Sequence, residues 1–278
     1  MEDKLRDLFD IAGKRILITG ATGYLGRHMA RGFLEVGAKV VLLGRSDKLW
    51  TQVREHSDQF GEQAVHGFQV DFYDRQKLTG VLEEIARKHD IDVLVNNACD
   101  LSERTGFNTP AGRLEKSTHD QWQAALESGI YWAALTTKMI GNRFVTKGRG
   151  SIINISSMYG AVAPDPRLYE GTSFLNPPGY GVAKAGLVAL SRYVASFWGR
   201  QGVRCNAVLP GPFPNVESQS PNSVDSDDAF LEKVKSKTAL NRVGHPRELM
   251  GILIYLACDA SSYTTGQTIV VDGGWTIT

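Results

Sequence analysis

The stretch that decides the fold is Arg15-Ile-Leu-Ile-Thr-Gly-Ala-Thr-Gly-Tyr-Leu-Gly26. Its first five residues form a short apolar and β-branched run, which predicts a strand. Three glycines interrupt the run, and residues 27–36 then carry the spacing of an amphipathic helix. Gly37 closes that helix, and a second apolar run begins at Lys39. The segment is therefore predicted to be a strand–turn–helix–strand unit.

The same alternation continues along the chain. Further strands are predicted at residues 39–43, 64–70, 91–95, 151–155, 203–209 and 267–271, and further helices at 48–59, 75–89, 119–140, 180–198 and 246–258. Short apolar strands that alternate with helices are typical of a parallel sheet covered on both faces. Right-handed crossovers then give an α/β fold with a Rossmann-like, doubly wound sheet of about seven strands. We expect one domain over residues 1–278, with an insertion near 163–178 and a flexible substrate flap near 212–238.

Composition excludes several classes of function. The chain has 278 residues, 42% hydrophobic and 22% charged, and its formal net charge is +1. Charges of both signs are interspersed, which argues against nucleic acid or an anionic membrane as a partner. Residues 1–10 are charged, unlike a signal peptide, and no apolar run is long enough to span a bilayer. Three scattered cysteines suggest free thiols and no metal site, so we expect a cytoplasmic protein.

The glycine turn predicts a dinucleotide site. Glycines between a strand and a helix allow the backbone to approach a pyrophosphate at the helix N-terminus. An acidic residue at the end of the second strand would bind the ribose 2′-hydroxyl of NAD. Here Gly44 holds that place, and Arg45 beside Ser46 could bind a 2′-phosphate, which favours NADP(H) and leaves NAD(H) possible. The alternative is that Arg45 stacks on the adenine or faces solvent.

Three residues suggest the chemistry. Tyr180 and Lys184 lie four residues apart on a predicted helix, so they share one face. An ammonium and an oxidised nicotinamide together could lower the tyrosine pKa from near 10 and make it an acid/base at neutral pH. Ser157 follows a predicted strand, where its hydroxyl could orient a substrate oxygen. We therefore predict Ser157, Tyr180 and Lys184 as catalytic residues.

With these residues the chain resembles the shorter, single-domain branch of the short-chain dehydrogenase/reductase family, from about residue 11 onwards. The shared motifs are the glycine turn at 19–26, Asp71, Asn96-Asn97-Ala98, Asn154-Ile-Ser-Ser157, Tyr180-x-x-x-Lys184, Pro210-Gly211 and Val271-Asp-Gly-Gly274. The resemblance implies an NAD(P)(H)-dependent enzyme that interconverts a secondary alcohol and a ketone. The cofactor contacts that we predict are Gly20, Thr22, Gly23, Tyr24, Leu25, Gly26, Arg45, Ser46, Asp71, Phe72, Asn97, Ala98, Tyr180, Lys184, Pro210, Gly211 and Phe213.

Four positions depart from the family pattern. Tyr24 replaces a glycine, Cys99 replaces the glycine after Asn-Asn-Ala, and Asn215 stands where a threonine usually helps to hold the cofactor amide. The family's relay asparagine, which positions a water near the lysine, is Gly129 here. A cofactor-binding sensor with little catalysis is the alternative that this last change favours.

The substrate is predicted from an insertion of roughly ten residues between the serine and the tyrosine. This insertion is polar and includes Arg167 and Tyr169, which we predict as substrate contacts together with Ser157. Hydroxyl-rich substrates need such hydrogen-bonding groups, whereas acyl or steroid pockets are apolar.

Part of the loop resembles enzymes of bacterial surface-glycan and flagellin sugar synthesis. We expect a sugar, sugar-acid or sugar-nucleotide substrate. The alternatives are a 3-oxoacyl thioester or small-ketone reductase, and a loop that packs on a neighbouring subunit. Homodimers or homotetramers are expected by analogy.

Overall fold

A computed structural model describes residues 5–172, 175–215 and 228–278. The strands are β1 (Arg15–Thr19), β2 (Lys39–Gly44), β3 (Val65–Gln69), β4 (Val93–Asn96), β5 (Gly150–Ile155), β6 (Val203–Pro210) and β7 (Thr268–Val271). The helices are α1 (Tyr24–Glu35), α2 (Lys48–Phe60), α3 (Arg75–Lys88), α4 (His119–Leu126), α5 (Trp132–Lys147), α6 (Pro178–Trp198), α7 (Asp228–Ser236) and α8 (Met250–Ala257).

The seven strands form one parallel sheet in the order β3-β2-β1-β4-β5-β6-β7. The predicted Rossmann-like, doubly wound α/β fold is therefore confirmed. The strand order reverses between β1 and β4, because β1 pairs with β2 on one side and with β4 on the other. In such sheets ligands bind outside the carboxyl ends of the strands at this reversal.

The core lies on both faces of the sheet because neighbouring strand residues point to opposite sides. In β1, Ile16 and Ile18 pack with α1, α2 and α8, whereas Leu17 packs with α3, α5 and α6. All three side chains are fully buried. A strand buried on both faces must be continuously apolar, which is the pattern seen in the sequence.

Two predicted helices differ from the observed ones. The segment predicted as one helix at 119–140 contains a wider, π-helical turn at Glu127–Tyr131, and α5 then continues to Lys147. The helix predicted at 246–258 begins as a 3-10 turn at Pro246–Leu249, and only α8 is α-helical. In the predicted flap, residues 228–236 form α7, and residues 216–227 lie outside the described part of the chain.

The predicted insertion at 163–178 forms a 3-10 turn at Pro166–Tyr169, and its last residue begins α6. Leu168 is buried in a small apolar cluster with Phe230 and Val234 of α7 and with Trp275. Residues 173–174 fall outside the described chain. The insertion thus packs beside α7, near the start of the helix that carries Tyr180.

Candidate active site

The glycine turn after β1 requires glycine for geometric reasons. Gly20 has a φ of +65°, and a Cβ there would lie 2.8 Å from Ala98 Cα. A Cβ on Gly26 would lie 2.2 Å from Gly20 O. Gly23 caps α1 without a side-chain hydrogen bond. No side chain at the N-cap accepts from the first turn of α1, and a helix N-terminus of this kind is suited to an anionic group such as a pyrophosphate.

The ends of β1 and β4 are joined by hydrogen bonds. Thr19 Oγ1 accepts from the backbone N–H groups of Asn97 and Ala98, at 3.0 Å each. The Asn97 side-chain amide donates to the carbonyls of Thr19 and Gly20, at 3.1 Å each. The Asn97 amide nitrogen therefore holds the glycine turn against the end of β4 through two hydrogen bonds.

A cavity of about 570 Å³ lies at this edge of the sheet, and we call it the dinucleotide cavity. Of the predicted cofactor contacts, those lining it are Gly20, Thr22, Gly23, Tyr24, Leu25, Arg45, Ser46, Phe72, Asn97, Ala98, Tyr180, Lys184, Pro210, Gly211 and Phe213. Two predicted contacts are not among the lining residues. Gly26 lies under the turn, against Gly20 O. Asp71 is exposed and accepts a hydrogen bond from Tyr73 N at 3.0 Å.

The predicted reacting groups share one end of the cavity. Helix α6 begins at Pro178, which needs no backbone donor at a helix start, so Tyr180 lies in the first turn. Lys184 is buried, its Nζ lies 5.6 Å from the Tyr180 ring centroid, and it donates to Ile155 O at 2.9 Å. Ser157 is buried and lines the same cavity as Tyr180, and its Oγ accepts from Tyr159 N at 3.2 Å.

The Tyr180 hydroxyl lies in an environment that opposes ionisation. Burial raises the pKa of Tyr180 above its ordinary value, while the Lys184 ammonium and the Ser157 hydroxyl lower it. The lowered pKa expected from the sequence is therefore not produced by the protein groups alone. An oxidised nicotinamide bound in this cavity would supply a positive charge that lowers the pKa further. The Phe107 ring, 5.1 Å from the Tyr180 ring and edge-on to it, helps to fix the tyrosine.

The nicotinamide end is formed by the residues after β6. Gly211 N donates to Val271 O at 2.9 Å, and a Cβ on Gly211 would lie 2.4 Å from Asp272 Cα. Asn215 lines the cavity, and its buried Oδ1 has no hydrogen-bond partner in the described chain. A buried acceptor without a partner is costly, and the carboxamide of a nicotinamide would supply the missing donor. These residues therefore fit the dinucleotide that the glycine turn suggests.

The residue predicted to bind the 2′-phosphate, Arg45, lines the cavity, whereas the predicted substrate contact Arg167 does not. Arg45 lines the cavity, and its Nη2 lies 3.9 Å from Asp100 Oδ1. Arg167 is mostly exposed and is held by Asp165, with Nε at 3.0 Å and Nη2 at 2.8 Å from the carboxylate. It does not line the cavity. Tyr169 is hydrogen-bonded through its hydroxyl to that of Tyr159, at 3.2 Å.

Gly129 lies where the wider helical turn meets α6. A Cβ on Gly129 would lie 2.6 Å from the Cβ of Ala183, the residue before Lys184. An asparagine therefore does not fit here unless the two helices separate. The close contact explains why glycine occupies this position, and any water relay to Lys184 must use other groups. Cys99 also lines the cavity, and burial raises the pKa of its thiol.

Asp100 is a site residue that the sequence reasoning missed. It lines the cavity although its side chain is almost completely buried. Its Oδ2 accepts from Tyr73 OH at 2.8 Å, and its Oδ1 accepts from Ser102 N at 3.1 Å. The available signal was its position just after β4, where the carboxyl ends of parallel strands meet ligands.

Other kinds of site are not seen in the described residues. No cluster of three or more His, Cys, Asp or Glu side chains in residues 5–172, 175–215 and 228–278 could hold a metal ion. Over the same ranges, no helix is both long enough and apolar enough to cross a membrane.

The fold and the site define an oxidoreductase of alcohols and ketones. A bound nicotinamide supplies or accepts the hydride. Tyr180 and Ser157 both line the cavity that would hold it, and a tyrosine hydroxyl is a group that can give or take a proton in such a reaction. Lys184 lies one helical turn from the tyrosine, and its positive charge lowers the pKa of the phenol.

Comparisons with known proteins agree with this class. A family model described as enoyl-(acyl carrier protein) reductase matches residues 20–276. The chain belongs to the short-chain dehydrogenase/reductase family. The NADP-dependent mannitol dehydrogenase of Hypocrea jecorina is 32% identical over 279 residues, which cover 99% of this chain and 96% of that protein. The sorbose reductase of Schizosaccharomyces pombe is 31% identical over 282 residues, covering 98% and 99%. A solved gluconate 5-dehydrogenase from Burkholderia cenocepacia, in complex with NADP and tartrate, has a TM-score of 0.83 at 28% identity and covers 98% of each chain.

Proposed function

We propose that this protein is an NADP(H)-dependent enzyme that interconverts a secondary alcohol and a ketone on a sugar, sugar acid or sugar-nucleotide derivative. The observation that carries the proposal is the placement of Tyr180, Lys184 and Ser157 at one end of the dinucleotide cavity. In the reducing direction, the substrate carbon gains a hydride and its oxygen gains a proton from Tyr180. In the oxidising direction both transfers reverse, so electrons and protons balance.

NADP(H) is favoured by the last residue of β2 and the two residues that follow it. Gly44 leaves no acid to bind a ribose 2′-hydroxyl, and Arg45 and Ser46 line the cavity beside it. A guanidinium is well suited to bind a phosphate through two hydrogen bonds. The mannitol dehydrogenase relative is NADP-dependent by name, and the gluconate dehydrogenase structure contains NADP. Exchanging Arg45 for alanine should weaken NADP(H) use far more than NAD(H) use.

A hydroxyl-rich substrate is favoured by the polar groups near Tyr180. Tyr159 and Tyr169 share a hydrogen bond, and Asn176 Oδ1 is buried without a hydrogen-bond partner in the described chain. We propose that Tyr169 and Ser157 contact the substrate. Arg167 would join them only by leaving Asp165. The relatives named for mannitol, sorbose and gluconate support this substrate class.

Turnover on a defined panel tests the proposal. The protein should oxidise one or more hexitols, ketohexose-related alcohols, aldonic acids or nucleotide sugars with NADP+, followed as absorbance of the reduced cofactor. Tyr180→Phe is the matched inactive control, because it removes one hydroxyl and leaves the ring that contacts Phe107. Turnover restricted to fatty or polycyclic alcohols would overturn the substrate class. Tight cofactor binding with no turnover on any carbonyl would instead favour a sensor.

A second candidate function is reduction of a ketone carried on an apolar or acyl chain. A smaller cavity of about 210 Å³ shares Phe213 with the dinucleotide cavity and is lined by apolar side chains such as Met158, Phe230 and Trp275. An apolar lining suits an acyl group better than a sugar. Including a 3-oxoacyl thioester and a small cyclic ketone in the same panel separates the two candidates.

We further propose that residues 1–278 act as one domain in the cytoplasm and assemble as a homodimer or homotetramer. The three cysteines are free thiols, which suits a reducing compartment. Tyr193 and Phe197 of α6 are more than half exposed and stack at 4.2 Å, so they could form part of a subunit interface. Sedimentation equilibrium should give a mass of two or four chains, and Phe197→Asp should lower it.

A further inference from the structure

A buried carboxylate lies beside the arginine proposed to bind the 2′-phosphate. The side chain of Asp100 is 2% exposed, yet it borders the dinucleotide cavity. Both of its oxygens have a donor within the fold, from Tyr73 OH at 2.8 Å and Ser102 N at 3.1 Å. Its own carbonyl accepts from Thr105 Oγ1 at 3.1 Å. Asp100 is therefore fixed in place by contacts that do not involve Arg45.

Tyr73 is itself held firmly in position. The guanidinium of Arg104 lies 3.6 Å from the centroid of the Tyr73 ring, and Trp132 packs edge-on to it at 4.9 Å. Burial and the nearby Asp100 carboxylate raise the pKa of Tyr73, so its hydroxyl stays protonated and donates to Asp100. Arg104 lies against the tyrosine ring, so the structure places Arg45, and not Arg104, within ion-pair distance of the carboxylate.

Arg45 is comparatively free to move. Its side chain is 57% exposed, and its Nη2 approaches Asp100 Oδ1 only to 3.9 Å. Its backbone is fixed, because Gln69 Nε2 donates to Arg45 O at 3.1 Å and Gln69 Oε1 accepts from Trp50 Nε1 at 2.8 Å. The guanidinium can therefore turn between Asp100 and the mouth of the cavity while the end of β2 stays in place.

We propose that Asp100 is a specificity-determining residue, whose carboxylate competes with the 2′-phosphate of NADP(H) for Arg45 and so limits the preference for NADP(H) over NAD(H). The inference rests on the proposed role of Arg45 in NADP(H) binding. A phosphate bound to Arg45 must either displace the carboxylate or lie near it, and both cost binding free energy. A charge pair about 7 Å apart at an effective dielectric constant of about 40 changes a binding constant roughly five- to tenfold.

Asp100→Asn tests the proposal. Asparagine keeps the shape of the side chain and can still accept from Ser102 N and pair with Tyr73 OH, so only the charge is lost. We expect the ratio of the Kd for NAD+ to the Kd for NADP+, measured by fluorescence titration without substrate, to rise about five- to tenfold, through the Kd for NADP+. The Kd for NAD+ should stay within about twofold, because NAD+ has no 2′-phosphate. The rise should shrink as ionic strength increases.

Two variants control for other causes. Glu84→Gln removes one negative charge from an exposed ion pair on α3 and should leave the ratio unchanged. Tyr73→Phe keeps the charge of Asp100 but removes one of its hydrogen bonds, so it must not raise the ratio. An Asp100→Asn ratio within twofold of the unmodified protein, or a lower one, would overturn the proposal. Loss of NADP+ selectivity in Arg45→Ala is measured separately and tests only the proposed role of Arg45.

Discussion

Replacing Lys184 with methionine isolates the electrostatic role of the ammonium. The ammonium lies 5.6 Å from the Tyr180 ring centroid in a buried site. At an effective dielectric constant of about 20, a unit charge at this distance stabilises an ionised phenol by about 3 kcal/mol. This corresponds to a shift of about two pH units in the pKa of Tyr180. Methionine keeps most of the volume of the side chain and loses the charge.

The assay is the pH dependence of kcat/KM for alcohol oxidation. Oxidation needs the ionised tyrosine, so activity should fall about 100-fold at neutral pH and recover as the pH rises through the shifted pKa. Ile155 O loses its donor in this variant, so cofactor affinity and thermal unfolding must be measured alongside. A uniform loss of activity at every pH, with no shift of the profile, would refute the electrostatic reasoning.

Three further predictions concern single residues. Gly26→Ala should raise the cofactor Kd at least tenfold and lower the Tm, because the new Cβ would lie 2.2 Å from Gly20 O. A cofactor Kd that fluorescence titration finds unchanged would contradict this prediction. Ser157→Ala should lower kcat roughly 100- to 1000-fold with little change in the cofactor KM, because it removes the hydroxyl proposed to orient the substrate oxygen. A change confined to the cofactor KM would contradict that role. Burial, together with the charges of His66 and Arg15, lowers the pKa of His89 to about 4, below its unfolded value of 6.5. The free energy of unfolding should therefore fall as the pH drops from about 6.5 to 4, because the unfolded chain binds the proton more readily. His89→Gln should flatten this dependence in urea unfolding, and an unchanged slope would assign it to other groups.

The sequence predicted those parts of the site that depend on short stretches of chain. The glycine turn, the helix that follows it and the Tyr180–Lys184 spacing are each set within a few residues, where backbone geometry limits the choices. The strand ends were less accurate: β4 was predicted at 91–95 and lies at Val93–Asn96. The apolar Ile91 precedes the first paired residue of the strand, whereas the polar Asn96 still pairs with Asn154, so apolar character does not mark the strand ends.

The sequence could not predict features that require distant segments to meet. Asp100 accepts a hydrogen bond from Tyr73, which follows β3, and lies beside Arg45, which follows β2. At the π-helical turn Glu127–Tyr131, Gly129 packs closely against Ala183 of α6, which lies more than fifty residues further along the chain. Arg167 is a different case, because its partner Asp165 is only two residues away. The polar character of the insertion had suggested that Arg167 binds the substrate instead. In each case, long-range packing or a nearby competing partner decides where a polar side chain points.

The departures from the family pattern share a physical consequence. Gly129 allows the wide helical turn to pack against Ala183, which removes the position from which an asparagine could relay protons to Lys184. Cys99 brings a thiol to the cavity wall where the family has a glycine. Burial raises the pKa of that thiol and also that of Tyr180, whereas the charge of Lys184 lowers both. The positive charge of an oxidised nicotinamide bound in the cavity would add to the effect of Lys184 and favour the ionised phenol that alcohol oxidation needs. Ionisation of the phenol is therefore expected to be coupled to the redox state of the bound dinucleotide.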